Sequence, residues 1–215
     1  MQKIYQHFQR VDPLLAEALL RIGDIPPITK KGSSADHFTE LCASIISQQL
    51  SVKVADVIWT RFVHLFSNAQ DWKKGDPEPS LDPQELLSIP DQVVRDQGIS
   101  WAKIKYCKDL ATKVINQEIH LESLDALSND EVITELTTVK GIGRWTAEMF
   151  LMFALGRPDV FSTGDLGLKR AIQKLYTLES EPTESELIEL TQKWSPYRTY
   201  ASRILWRVLD NEPKK

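Results

Sequence analysis

The sequence predicts an all-α protein of about ten helices. Three observations carry this. Apolar residues recur at helical spacing along most of the chain. Helix-start signatures precede the periodic runs, and no alternating run of useful strand length is present. The first 35 or so residues read as helical, with Asp12-Pro13 supplying a cap and a proline at the first helical position. Breakers follow at Pro26-Pro27 and at KKGSS, residues 30–34. HFTELCASIIS (37–47) and VKVADVIWTRFVHLF (52–66) then read as helices, and KKGDPEPSLDP (73–83) as a surface loop rather than a domain boundary. DPQE (82–85), SNDE (128–131) and TESE (183–186) resemble capping boxes. The remaining periodic runs are 101–115, 130–139, 145–155, 166–176, 184–194 and 197–209, the last preceded by a second cap-proline pair, Ser195-Pro196. No repeat or low-complexity tract interrupts them.

At 215 residues the chain is expected to be a single domain, 1–215, of two small lobes. A 42% hydrophobic fraction is ordinary for a packed core. No apolar run approaches the roughly 18 residues that span a bilayer, so no membrane partner is expected. The start, MQKIYQHFQRVDP, lacks the apolar region of a secretory signal. An intracellular protein is expected, cytoplasmic in a prokaryote and nuclear in a eukaryote. Nothing suggests an oligomer, and a monomer is expected. Two cysteines cannot build a four-thiolate centre, and the four histidines show no ligand spacing, so neither an iron–sulfur cluster nor zinc is expected. Net charge is −4, which weighs against nucleic acid. The distribution weighs the other way: from Lys140 to Lys174 there are six Lys/Arg against three Asp/Glu, and from Lys193 to Arg207 four basic residues and no acid.

The most specific stretch is TTVKGIGRWTAEMF, which begins at Thr137. Two glycines, Gly141 and Gly143, fall between an amphipathic run and a strongly apolar one. Glycine permits positive φ and close backbone approach. A helix beginning near Arg144 would present free N–H groups, a ready site for a phosphate. A plain helix–turn–helix corner would need no more than this. The longer pattern, Val139, then G-I-G, then two residues and Thr-Ala, resembles the helix–hairpin–helix, a binder of DNA backbone, over about residues 129–155. Such hairpins often hold a monovalent cation, Na⁺ or K⁺; the matching carbonyls here are those of Thr137, Val139 and Ile142. No other cofactor is implied.

About twenty residues beyond the hairpin comes RPDVFSTGDLGLKR, a turn-rich loop that leads to Asp165. This order resembles the helix–hairpin–helix superfamily of DNA glycosylases. HFTELCASIISQQLSVKVAD and WSPYRTYASRILW look like its DNA-3-methyladenine glycosylase II branch, over roughly residues 12–210. The resemblance implies two helical lobes flanking a DNA-binding cleft. Only a compact form is implied, because the long β-containing N-terminal extension of the bacterial relative has no counterpart before Phe38.

Cutting an N-glycosidic bond leaves oxocarbenium character on the sugar, and a carboxylate placed there accelerates the step. The resemblance assigns that role to Asp165, expected in the first turn of a helix where the dipole favours negative charge. Strand-nicking relatives carry a lysine two places after the second glycine, as a Schiff-base nucleophile. That place is Trp145 here. The implied enzyme is monofunctional, using water and leaving an abasic site. The target base must leave the stack, and a cationic alkylated purine such as 3-methyladenine or 7-methylguanine suits electron-rich ring faces. Trp145 and Trp206 match the pocket positions, with Phe38 and Tyr200 (and Tyr197) as further members. The turn SQQLS (47–51) matches the segment that plugs the hole in the duplex. Gln49 is at the plugging position, where the bacterial relative has leucine, with Gln48 and Leu50 alongside. Gly98–Ser100 is a second glycine turn, with Ser100 expected to cap the next helix. Gly141, Gly143, Arg144, Lys169 and Arg170 are the expected phosphate contacts.

The implied partner is double-stranded DNA carrying an alkylated base. Two alternatives remain open on sequence: a glycosylase for another lesion, and a non-catalytic helix–hairpin–helix DNA-binding protein.

Overall fold

The structure, a computed structural model, describes residues 1–23, 25–30 and 34–210. Among these residues it is helical, with no strand and only an isolated bridge at Lys74 and Asp76. Lys31, Gly32 and Ser33 of the KKGSS breaker lie outside the described residues. Among the described residues there are twelve helices: α1 Gln2–Val11, α2 Pro13–Ile22, α3 Ser34–Ser47, α4 Val52–Val63, α5 Pro83–Ser88, α6 Asp91–Asp96, α7 Trp101–Ile115, α8 Asn129–Leu136, α9 Arg144–Phe153, α10 Leu166–Leu175, α11 Glu184–Gln192 and α12 Arg198–Asp210. The sequence reading undercounts because α5 and α6 are six residues each, too short to show a period. Pro90 separates them: a proline cannot continue α5, and it disfavours helical geometry at Ile89. Full capping boxes form at Ser128/Glu131 and Thr183/Glu186. At α5 only Asp82 caps, accepting from the Gln84 N–H. No helix among the described residues is long and apolar enough to cross a membrane.

The chain forms two compact units. Its two ends, Met1–Lys30 and Leu151–Lys215, make one; the middle, Lys31–Phe150, makes the other. In the first unit α1, α2, α10 and α12 surround a core of Phe8, Leu15, Leu19, Leu168, Ile172, Leu187, Trp194, Ile204 and Leu205. The Asp12 carboxylate sits inside it. Asp12 caps α2 through the Leu15 N–H at 3.2 Å and also accepts from the Trp194 indole at 2.8 Å, the Lys193 ammonium at 3.0 Å and the Tyr176 hydroxyl. Burial opposes its charge. The bonds from Tyr176, Trp194, Lys193 and the Leu15 N–H outweigh it and hold the carboxyl below its usual range. The Tyr176 hydroxyl is pushed up by burial and by Asp12.

In the second unit α3 packs against α4 and α7, and α5 and α6 against α7. Cys42 and Cys107 are both buried, thiol to thiol, and burial pushes the Cys42 thiol well above its ordinary value. They are packing residues. Ser100 caps α7 through the Lys103 N–H, and Gly98 precedes it at φ +98°.

Candidate active site

Asp165 is the N-cap of α10 rather than a residue of its first turn. Its Oδ1 accepts the Leu168 N–H at 2.8 Å and the Trp206 indole N–H at 3.1 Å. The carboxylate is 8% exposed. A capping role alone would leave the tryptophan bond unexplained. Two donors on one oxygen, one from the helix start and one from α12, fix the carboxylate in orientation.

Two neighbours that the sequence reading missed complete this corner. Gly167 sits so close that a Cβ on it would be 3.1 Å from Asp165 Oδ1 and 3.4 Å from the Trp206 ring. The ring of Phe153 lies 5.9 Å from that of Trp206, tilted by 34°, and is 43% exposed. Glycine in the first turn of a helix is a poor helix former, the one hint the sequence offered for Gly167. Phe153 gave no signal beyond an ordinary apolar position.

The loop ahead of Asp165 is anchored to the start of α12. Arg198 holds Asp159 through Nε at 2.7 Å and Nη2 at 3.0 Å. Thr199 takes the Val160 N–H at 3.0 Å and donates to the Arg157 carbonyl at 2.6 Å. Since α12 also carries Trp206, one helix positions both the loop and the indole. Burial would raise the Asp159 carboxyl, but its bonds from Arg198 and Ser195 hold it below the usual range.

The second group of predicted residues lies in the middle unit. Val139 O accepts the Ile142 N–H at 3.1 Å, and Gly143 O accepts the Ala147 N–H at 3.1 Å, so Gly143 caps α9. Gly141 is left-handed, with φ +84°, and a Cβ on it would fall 2.1 Å from the Tyr106 ring. Position 141 therefore requires glycine twice over. Gly143 differs: its φ is not positive, and a Cβ there would meet nothing within 4 Å. The space beside it is open to a backbone approaching from outside.

Gln48, Gln49, Leu50, Gly141 and Trp145 line one hollow of about 470 Å³ together with Ser44, Ser47 and Thr146. Trp145 is 47% exposed on the first turn of α9. Gln49 is exposed in a left-handed conformation, φ +58°. Gln48 is spent internally, donating its side-chain amide to Gly141 O at 2.9 Å.

Two of the expected pocket residues are buried. Phe38 is 2% exposed, a core side chain whose free edge faces a hollow lined by Leu81, Val114 and Leu121 and by no other candidate site residue. Tyr200 is 9% exposed, and its hydroxyl is occupied by the Ile28 N–H at 3.1 Å. Both are core side chains. Among the expected phosphate contacts, Arg170 is exposed, Arg144 bonds Glu148 Oε1 through Nε at 2.9 Å, and Lys169 lies 3.6 Å from Glu181. No group of three His, Cys, Asp or Glu that could hold a metal occurs among the described residues.

Residues 42–196 match the HhH-GPD superfamily of base excision DNA repair proteins, and the chain belongs to that superfamily. Within it, the DNA-3-methyladenine glycosylase 1 of Schizosaccharomyces pombe is 32% identical over 202 residues, 94% of this chain and 84% of its own length. A solved structure of the S. pombe 3-methyladenine DNA glycosylase in complex with abasic DNA superposes with a TM-score of 0.80 at 30% identity, covering 99% of this chain and 100% of that one. A relative from Bacillus subtilis is 32% identical over 166 residues; these are 77% of this chain but 56% of that protein.

Proposed function

We propose that the protein is a monofunctional DNA glycosylase that excises alkylated purines, 3-methyladenine and 7-methylguanine, from double-stranded DNA and leaves an abasic site. The observation that carries this reading is the Asp165 carboxylate, capping α10 and bonded to the Trp206 indole, in a chain with tryptophan rather than lysine at position 145. The relatives named for 3-methyladenine support the substrate class.

In this reading Asp165 faces the sugar as its bond to the base breaks, stabilises the developing positive charge and orients the attacking water. An alkylated purine is cationic and departs without a strong acid. The Trp206 indole, bonded to Asp165, supplies a ring face for the base. Gln49 fills the place the base has left, and its amide can bond the orphaned partner. The hairpin N–H groups and Arg170 hold phosphates without reading sequence. The carbonyls of Thr137, Val139 and Ile142 hold a Na⁺ or K⁺ ion; Val139 O accepts one N–H and keeps a second lone pair for it. Replacing K⁺ by a bulky organic cation should then weaken binding to any duplex. The protein acts as a monomer inside the cell.

The test is mass spectrometry of bases released from methylated DNA, with a denaturing gel of the strand. Release of 3-methyladenine or 7-methylguanine without nicking is expected. A nicked strand, and a protein–DNA adduct trapped by borohydride, would reveal a lyase instead. A protein that binds duplex and releases no base at all would favour the non-catalytic alternative.

A further inference from the structure

The turn that presents Gln49 is braced from beneath by a residue with no assigned role. Residues 47–50 turn with the Leu50 N–H on Ser47 O at 3.1 Å. No glycine relieves the left-handed backbone at Gln49, a conformation that side chains rarely adopt and that persists only where the surroundings impose it. The surroundings here are specific. Lys103, on the first turn of α7, sends its ammonium to two carbonyls, Ile46 O at 2.8 Å and Gln48 O at 2.6 Å. Ile46 is in the last turn of α3, where carbonyls lack helical partners and a cation is favoured. Gln48 completes the brace on the other side with its bond to Gly141 O at 2.9 Å.

The same side of α7 also holds the hairpin. Tyr106, three residues after Lys103, packs against Gly141. Asp109, three further on, accepts the Lys140 N–H at 3.0 Å and pairs with the Lys140 ammonium at 3.1 Å. One strip of α7, at i, i+3 and i+6, therefore fixes both the turn and the hairpin, and the Gln48 amide links the two directly.

We propose that Lys103 is a positioning residue for the plug: by clamping the end of α3 and the Gln48 carbonyl it holds Gln49 in the posture that fills a vacated base position. The brace makes the turn and the hairpin one rigid element, so a grip on phosphates at Gly143 sets where Gln49 enters. This rests on the glycosylase reading above, and its test separates the two.

Fluorescence anisotropy would compare binding to a duplex bearing a single tetrahydrofuran abasic analogue with binding to the same duplex undamaged. Wild type should prefer the abasic duplex. Lys103→Met should shrink that preference on the order of tenfold, the scale of losing hydrogen bonds to a charged group, with undamaged binding retained. Lys103→Arg should restore most of it. Gln49→Ala should shrink the preference too, and adding Lys103→Met to it should cost nothing more, because Lys103 acts through Gln49. If Lys103→Met does not fold, Gln48→Met, which removes only the bond to Gly141, takes its place in the same cycle. An unchanged preference in the Met variants, or costs that simply add, would overturn the positioning role. So would a wild type that releases methylated purines yet binds both duplexes alike, and the glycosylase reading would survive. Failure to release any base would sink that reading instead.

Discussion

The Trp206 indole donates to Oδ1 of Asp165 at 3.1 Å, the same oxygen that takes the Leu168 N–H at 2.8 Å. The carboxylate thus serves the fold as a helix cap and, in the proposed reaction, faces the sugar. The two duties can be separated by substitution. Asn caps helices about as well as Asp, so Asp165→Asn should change stability by less than about 1 kcal/mol. It removes the charge, and an electrostatic contact of this kind is worth about 3–4 kcal/mol in the transition state. Release of 7-methylguanine should fall about a hundredfold to a thousandfold, with duplex binding intact. An active Asp165→Asn protein would end the catalytic assignment.

Gly167 offers a subtler probe of the same corner. Alanine is the better helix former by up to about 1 kcal/mol, and φ at 167 is not left-handed, so Gly167→Ala should leave the melting temperature unchanged or raised. Its new methyl would lie 3.1 Å from Asp165 Oδ1 and 3.4 Å from the Trp206 ring. Carboxylate and indole must yield by a few tenths of an ångström. We expect kcat to drop about tenfold or more, since small misplacements of a reacting group are costly, with affinity for undamaged duplex unchanged. A Gly167→Ala enzyme with wild-type kcat would show that the corner is loose.

What could be read before the structure, and what could not, follows from range. Capping boxes at Ser128 and Thr183 are local devices, and the sequence displays them whole. The hairpin is also local, and Gly141 declares itself. Yet one of the two reasons position 141 must be glycine is the ring of Tyr106, thirty-five residues earlier, and nothing at Tyr106 announces it. Lys103 reads as one more charge on α7; only tertiary packing brings its ammonium to the end of α3. Aromatic residues were the least legible. Phe38, Tyr200 and Trp206 look alike in a helical pattern, and only burial separates two core rings from the indole that reaches Asp165.

The glycine hairpin yields a prediction about DNA binding rather than catalysis. Gly141→Ala forces a methyl into the Tyr106 ring and places alanine at φ +84°. The strain alone is worth about 1–3 kcal/mol. Chemical denaturation should show at least that loss, and affinity for undamaged duplex should fall. Tyr106→Ala made alongside it should recover the part due to collision and not the part due to φ. Gly143→Ala should cost far less stability, because its Cβ meets open space, yet weaken duplex binding if a phosphate approaches there. Equal stability losses at 141 and 143 would contradict the geometry.

Asp12 yields a prediction about acid stability. Burial raises its carboxyl, but the bonds from Tyr176, Trp194, Lys193 and the Leu15 N–H dominate and hold it below its ordinary value when folded. A group depressed on folding binds fewer protons in the native state than in the unfolded chain. Its stabilisation is therefore complete above the unfolded value and lost as pH falls through the lower, folded one. Asp12→Asn keeps a capping oxygen and removes the charge that Lys193 and the Trp194 indole address. Bonds to a buried charge are worth about 1.5–3 kcal/mol each, and we expect the variant to lose roughly 2–4 kcal/mol near neutral pH. The gap between variant and wild type should narrow as acid protonates Asp12 in the wild type. Urea denaturation at pH 7 and at pH 3 measures both quantities. A gap that widened in acid would mean that Asp12 is held neutral, and that burial rather than the four donors decides its state.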